Sequence, residues 1–181
     1  APNPYPWHYA SAGAHPLGAV VTRYNLVKNP GFYESADLWT ASPPDRWEQQ
    51  YQRTGPTGSN YCGGWYGPGD DAEAWTIISR DIRPGVAYTF TIWAYCLSSR
   101  VEARTRITWR DSDGIALDGI ETSPVEVPDL TWQQLPALTS VAPEGAVAAE
   151  ARVIFTGQSI TTANITAALF EPTPFPFPYF D

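Results

Sequence analysis

From Tyr24 onward the chain is a succession of short apolar and β-branched runs, each ended by Gly, Pro, Asn, Asp or Ser. Alternation with a period of two inside those runs predicts strands, and no amphipathic stretch of ten or more residues predicts a helix. The pattern therefore reads as an all-β, two-sheet antiparallel sandwich rather than alternating strands and helices. The predicted strands are 24–28, 46–53, 59–66, 73–82, 86–97, 103–110, 115–127 with a break, 131–141, 147–156 and 160–171. The run 86–97 is the clearest. Alternation puts Tyr88, Phe90, Ile92, Ala94 and Cys96 on its core face and Thr89, Thr91, Trp93, Tyr95 and Leu97 on the other. Ile107, Val153 and Phe155 also fall on core positions. Asp111-Ser112-Asp113-Gly114 has the residues of a tight hairpin turn, and Asp81 to Gly85 makes a similar corner.

The flanks break this pattern. Residues 1–23 hold four Pro and a run of small residues, which suits an extended arm or linker that Tyr5, Trp7 and Tyr9 could pin to a neighbouring surface. Residues 24–171 form the sandwich. Residues 172–181 alternate Pro with Phe and Tyr, a stiff extended tail expected to lie largely covered on its own domain or on a neighbour. Taken whole, 181 residues fit one domain and a single core.

Composition narrows the function. Eight Trp, ten Tyr and seven Phe give ample surface to offset chain entropy, so the chain is not of the disordered class. Eleven Lys and Arg against nineteen Asp and Glu leave a net charge of -8, which argues against nucleic acid as a partner. No window of about 18 uninterrupted apolar residues is present, which argues against membrane insertion. There is no Met, at position 1 included, as expected of a processed product or a segment of a longer polypeptide. Cys62 and Cys96 lack zinc-site spacing, and two readings remain open for them: one bridge, or two buried thiols.

Several motifs then carry a resemblance. Asn25-Leu26-Val27-Lys28-Asn29-Pro30-Gly31-Phe32 followed by Trp39, the segment Pro84 to Trp93, Trp109 to Gly114, and Trp132 followed by Ala142 to Ala146 resemble the jelly-roll carbohydrate-binding modules. The ending Ala168-Leu169-Phe170-Glu171-Pro172 through Asp181 is similar to the version found in minor tail proteins of actinobacteriophages. The resemblance covers about residues 24–181 and leaves the arm out. It implies a jelly roll in the virion, extracellular in its action, that contacts host cell-wall polysaccharide and other tail subunits, and that could be a homotrimer. Trp39 and Trp132 match the family's packing tryptophans. The family's structural calcium uses a carboxylate after the Asn-Pro-x-Phe motif and an Asp in the last strand. Here those positions are Tyr33, with Glu34 shifted by one and Asp37 nearby, and Thr166, so no cofactor is expected.

Candidate chemistry points to binding rather than catalysis. Acidic residues are present, yet none stands in a recognisable pair; Asp70-Asp71-Glu73 reads as a solvated loop, and His8 and His15 lie in the arm. No Gly-x-Ser-x-Gly elbow or phosphate loop occurs, so no enzyme is expected. Sugars are recognised by aromatic faces and planar polar groups. Trp93 and Tyr95 stand one above the other, and if strands 103–110 and 147–156 share their sheet, Arg104, Arg106, Glu150 and Arg152 join them. The alternative is that Arg and Glu form surface ion pairs while Trp93 packs under a loop. A second candidate is Trp65 and Tyr66 on the rim of a Gly63-Gly64 loop, the alternative being a bulged strand with its aromatics buried. Three functions remain: a glycan-binding tail module, a purely structural virion domain, and an accessory module of a secreted glycanase.

Overall fold

The computed structural model describes residues 10–14, 20–51, 55–56, 61–97 and 101–179. Trp7, Tyr5, Tyr9, His8, His15, Phe180 and Asp181 lie outside the described residues. The described residues form twelve strands: β1 Ala10–Ala14, β2 Val20–Tyr24, β3 Thr40–Ser42, β4 Trp47–Tyr51, β5 Tyr61–Ile78, β6 Ala87–Cys96, β7 Val101–Arg110, β8 Ala116–Glu121, β9 Val125–Val127, β10 Gln133–Gln134, β11 Leu138–Val141 and β12 Ala148–Glu171. The chain is a jelly-roll β-sandwich. Within the stretch read as an extended arm, β1 and β2 pair as an antiparallel hairpin.

Two long strands, β5 and β12, run antiparallel through both layers. Residues 148–156 of β12 lie between β7 and the second half of β5, with β3 beyond β5 and β8 and β9 beyond β7. Past a register shift between Thr156 and Ile160, the rest of β12 lies between β6 and the first half of β5, with β4 and β10 outermost. The predicted strands 59–66 and 73–82 are therefore one, as are 147–156 and 160–171. The acidic run Asp70-Asp71-Glu73, expected in a solvated loop, lies within β5, and Gly67 and Gly69 ahead of it let the strand bend. Gly67 takes φ +99°, and a Cβ on Gly69 would come within 2.4 Å of the Arg46 guanidinium laid across it.

The core forms between the two layers. The predicted core face of β6 is fully buried at Tyr88, Phe90, Ile92, Ala94 and Cys96, as are Ile107, Val153 and Phe155 opposite. Tyr88 meets Trp109 across the sandwich at 5.6 Å between ring centroids, and Trp65 meets Phe155 at 5.7 Å. Asn25 knits the first loop to the last strand: it donates to the Ala168 carbonyl and accepts from the amides of Val27 and Phe170.

Arm, last strand and tail meet at Arg23. Its guanidinium pairs with Glu171 at 2.8 and 2.5 Å, donates to the Pro178 carbonyl at 3.1 Å and lies 4.7 Å over the Phe177 ring. The tail is less covered than its composition suggested. Phe175 is 65% exposed, because Thr173 bonds both its amide and its carbonyl and turns the ring outward.

Candidate functional site

Because paired residues in antiparallel strands share a face, the register fixes what surrounds Trp93 and Tyr95. Tyr95 is level with Asn164 of β12, which is level with Gly64 of β5, which is level with Glu48 of β4. One step along, Gln134 of β10, Trp93 and Thr166 share a row. All point away from the core, since the residues between them, Ala94, Ala163, Ile165 and Trp65, are buried inside the sandwich. Trp132 joins this outer face. Its ring packs on Tyr95 at 5.4 Å, tilted by 42°, leaving Trp93, Tyr95 and Trp132 half-buried. This corrects the expectation of Trp132 as a core residue: it precedes the short β10 pairing and so falls beside the outer face of β6, whereas Trp39 is in the core against Phe32.

Beneath the aromatics is a polar floor with unused hydrogen-bonding capacity. Asn164 is fully buried, and neither its Oδ1 nor its Nδ2 has a partner among the described residues; the same holds for Gln50 Nε2, Thr91 Oγ1 and Trp132 Nε1. Each such group costs on the order of 1–3 kcal/mol when left unpaired. Gly64 makes the arrangement possible. A Cβ there would sit 2.0 Å from Asn164 Oδ1 and 3.0 Å from Gln50 Cδ. Burial, with a smaller contribution from the Asp129 carboxylate, raises the Tyr95 phenol above its ordinary value, so it remains a neutral donor. Cys62, also fully buried, has its thiol pushed up to about 12 by burial.

The remaining predicted site residues lie elsewhere. Arg104, Arg106, Glu150 and Arg152 are on the outer face of the other layer, because residues 148–156 of β12 pair with β7 and not with β6. Glu150, buried, takes Arg110 at 2.5 Å and Arg152 at 2.7 Å; Arg152 also reaches Glu73 at 2.8 Å and stacks over Trp75 at 4.3 Å. Arg104 faces Glu121 at 3.7 Å, and Arg106 is exposed. Arg104, Glu150 and Arg152 thus form ion pairs, as the alternative reading has it. Trp65 is 2% exposed against Trp47 and Phe155, since Gly63 and Gly64 are strand residues and unbroken alternation turns Trp65 inward. Tyr66 points outward and is 69% exposed. Sequence reasoning missed Gln50, Gln134 and Asn164; their signal, one polar residue on each of three predicted strands, becomes visible only once the pairing is known.

The residues at the family's calcium positions do not fit that ion. The Thr166 hydroxyl donates to the Tyr61 carbonyl at 3.0 Å, and Tyr33 turns its ring to Tyr61 at 6.1 Å, so neither presents a charged oxygen.

No family model matches the chain, and no curated relative does. Solved structures do. A xylan-binding domain of carbohydrate-binding family 22 superposes with a TM-score of 0.62 at 19% identity, over 82% of this chain and 95% of that one. A family 61 module in complex with β-1,4-galactotriose gives 0.54 at 16%, over 82% and 99%. The enzymatically active domain of tailspike protein 4 from bacteriophage CBA120 gives 0.64 at 19%, over 81% of this chain and 21% of that one. This chain shares the jelly-roll fold of those modules. In such a jelly roll each layer has one face in the core and one in solvent, and here the two solvent faces differ: one carries aromatics and amides, the other paired charges.

Proposed function

We propose that this chain is a non-enzymatic glycan-binding module of a phage minor tail protein, holding the virion to host cell-wall polysaccharide through Trp93, Tyr95 and Trp132. The observation that carries this reading is the half-exposed Trp132–Tyr95 pair beside Trp93, over a floor of buried amides without partners. Indole and phenol faces cover the C–H surface of a pyranose ring, while Gln134 and the phenol hydroxyl reach its hydroxyls. Nothing in that set transfers a proton at neutral pH, which supports binding without catalysis. The likeness to a tailspike domain and the exposed Phe175 support a virion setting, with the tail contacting other tail subunits in a homotrimer.

The test is a pull-down on isolated actinobacterial cell walls with the wild type, Trp93→Ala and Tyr95→Ala, with circular dichroism to establish that each is folded. The wild type is expected to bind and the folded variants to lose at least about tenfold in affinity, the roughly 1.4 kcal/mol or more typical of a central aromatic contact. Wall binding unchanged in both variants would remove the assignment.

A further inference from the structure

The glycan reading leaves open what charge the polysaccharide carries, and the face itself addresses that. Its floor is made of amides, hydroxyls, a neutral phenol and indoles. Two carboxylates bracket it. Glu48, exposed, ends the row that runs through Gly64 and Asn164 to Tyr95, and Asp129 stands beside the other end of that row, its backbone bridged to Cys96. Four strand spacings separate Glu48 from Asp129, about 19 Å, so every point between them lies within about 10 Å of a carboxylate, one Debye length at about 0.1 M salt.

Among the described residues, four arginines that could offset this are committed elsewhere. Arg46, at the corner of the same layer, donates to the Gly67 carbonyl at 3.0 Å and lies across Gly69. Arg104, Arg110 and Arg152 are on the opposite outer face, each against a glutamate. The chain as a whole carries a net charge of -8.

Resting on the glycan-binding reading, we propose that this face takes an uncharged polysaccharide segment and that Glu48 and Asp129 turn away polymers bearing carboxylates or phosphates. Hydroxyl-rich chains meet only matching dipoles here, whereas an anionic chain would have to approach two like charges, with the guanidinium groups of Arg46, Arg104, Arg110 and Arg152 held elsewhere.

Polysaccharide released from the cell wall and separated by anion exchange into neutral and anionic fractions supplies the probes, each competing against wall binding by the full chain. The neutral fraction is expected to compete and the anionic fraction to fail, with affinity changing less than about twofold between roughly 0.05 and 0.5 M NaCl. A Glu48→Lys/Asp129→Lys double variant should let the anionic fraction compete at least about tenfold better than against the wild type. Competition by the anionic fraction alone, lost at high salt while Trp93→Ala still abolishes wall binding, would overturn this inference and leave the glycan site standing. Failure of both fractions, with Trp93→Ala binding like the wild type, would overturn both.

Discussion

At Gly64, on the outer face of β5, the backbone must come close to a neighbouring side chain, because the Asn164 amide lies directly over it. Gly64→Ala should therefore displace that amide and destabilise the fold by about 1–3 kcal/mol, read from the urea midpoint, with wall binding reduced alongside. Cys62 nearby makes a separate prediction. Its thiol is protonated in the folded chain up to about pH 12, whereas the unfolded thiol ionises near its ordinary value of 9.0. The folded state then holds one proton more than the unfolded between those values, so stability is full below pH 9 and falls as pH rises, by up to about 1.4 kcal/mol per unit. Denaturation from pH 8 to 9.5, below the range where tyrosines ionise, should show this slope in the wild type and a smaller one in Cys62→Ala, and native Cys62 should resist iodoacetamide. The open question of the two cysteines closes in the same geometry. Cys62 points outward beside Gly64, Cys96 inward, and the two are not bridged to each other.

Among the strands, 148–156 of β12 carries the clearest test of which face does what. Glu150 holds two guanidinium groups, from Arg110 and Arg152, while 4% of its side chain is exposed. Glu150→Gln leaves Arg110 without its anion and Arg152 with Glu73 alone, and should cost about 2–4 kcal/mol in chemical denaturation while wall binding at permissive temperature stays intact. Loss of wall binding in a folded Glu150→Gln protein would move the glycan site to this layer. What each strand buries was legible in the sequence: alternation named the core face of β6 correctly at five positions. Which strands lie side by side was not. Alternation alone allows Arg104, Arg106, Glu150 and Arg152 to join Trp93 because pairing between distant segments leaves no local mark, and Gly67-Pro68-Gly69 with the acidic run behind it reads as a loop unless one knows that β5 continues through it.

For the molecule as a whole, the all-β sandwich followed from strand count, turn chemistry and the order of short motifs, and the solved structures bear it out at 12–19% identity. The ends were harder to read, because their arrangement depends on one long-range clasp. Arg23→Ala removes the partner of buried Glu171 and the cation over Phe177; a loss of roughly 3 kcal/mol, seen as a Tm lowered by several degrees, is expected, together with faster chymotryptic cleavage of the tail. The long β5–β12 pair has a further consequence, for the route by which the chain folds. Its partners, such as Ala74 with Val153 and Gly63 with Ile165, come from distant parts of the sequence, and both layers are organised around it. Neither sheet can close until a large loop has been drawn shut, and the entropy of that closure is spent before much burial repays it. Refolding should be slow for a protein of this size, on the millisecond-to-second scale, and during that interval the aromatic-rich strands stand open to partners from other chains, so yield on refolding should fall as protein concentration rises.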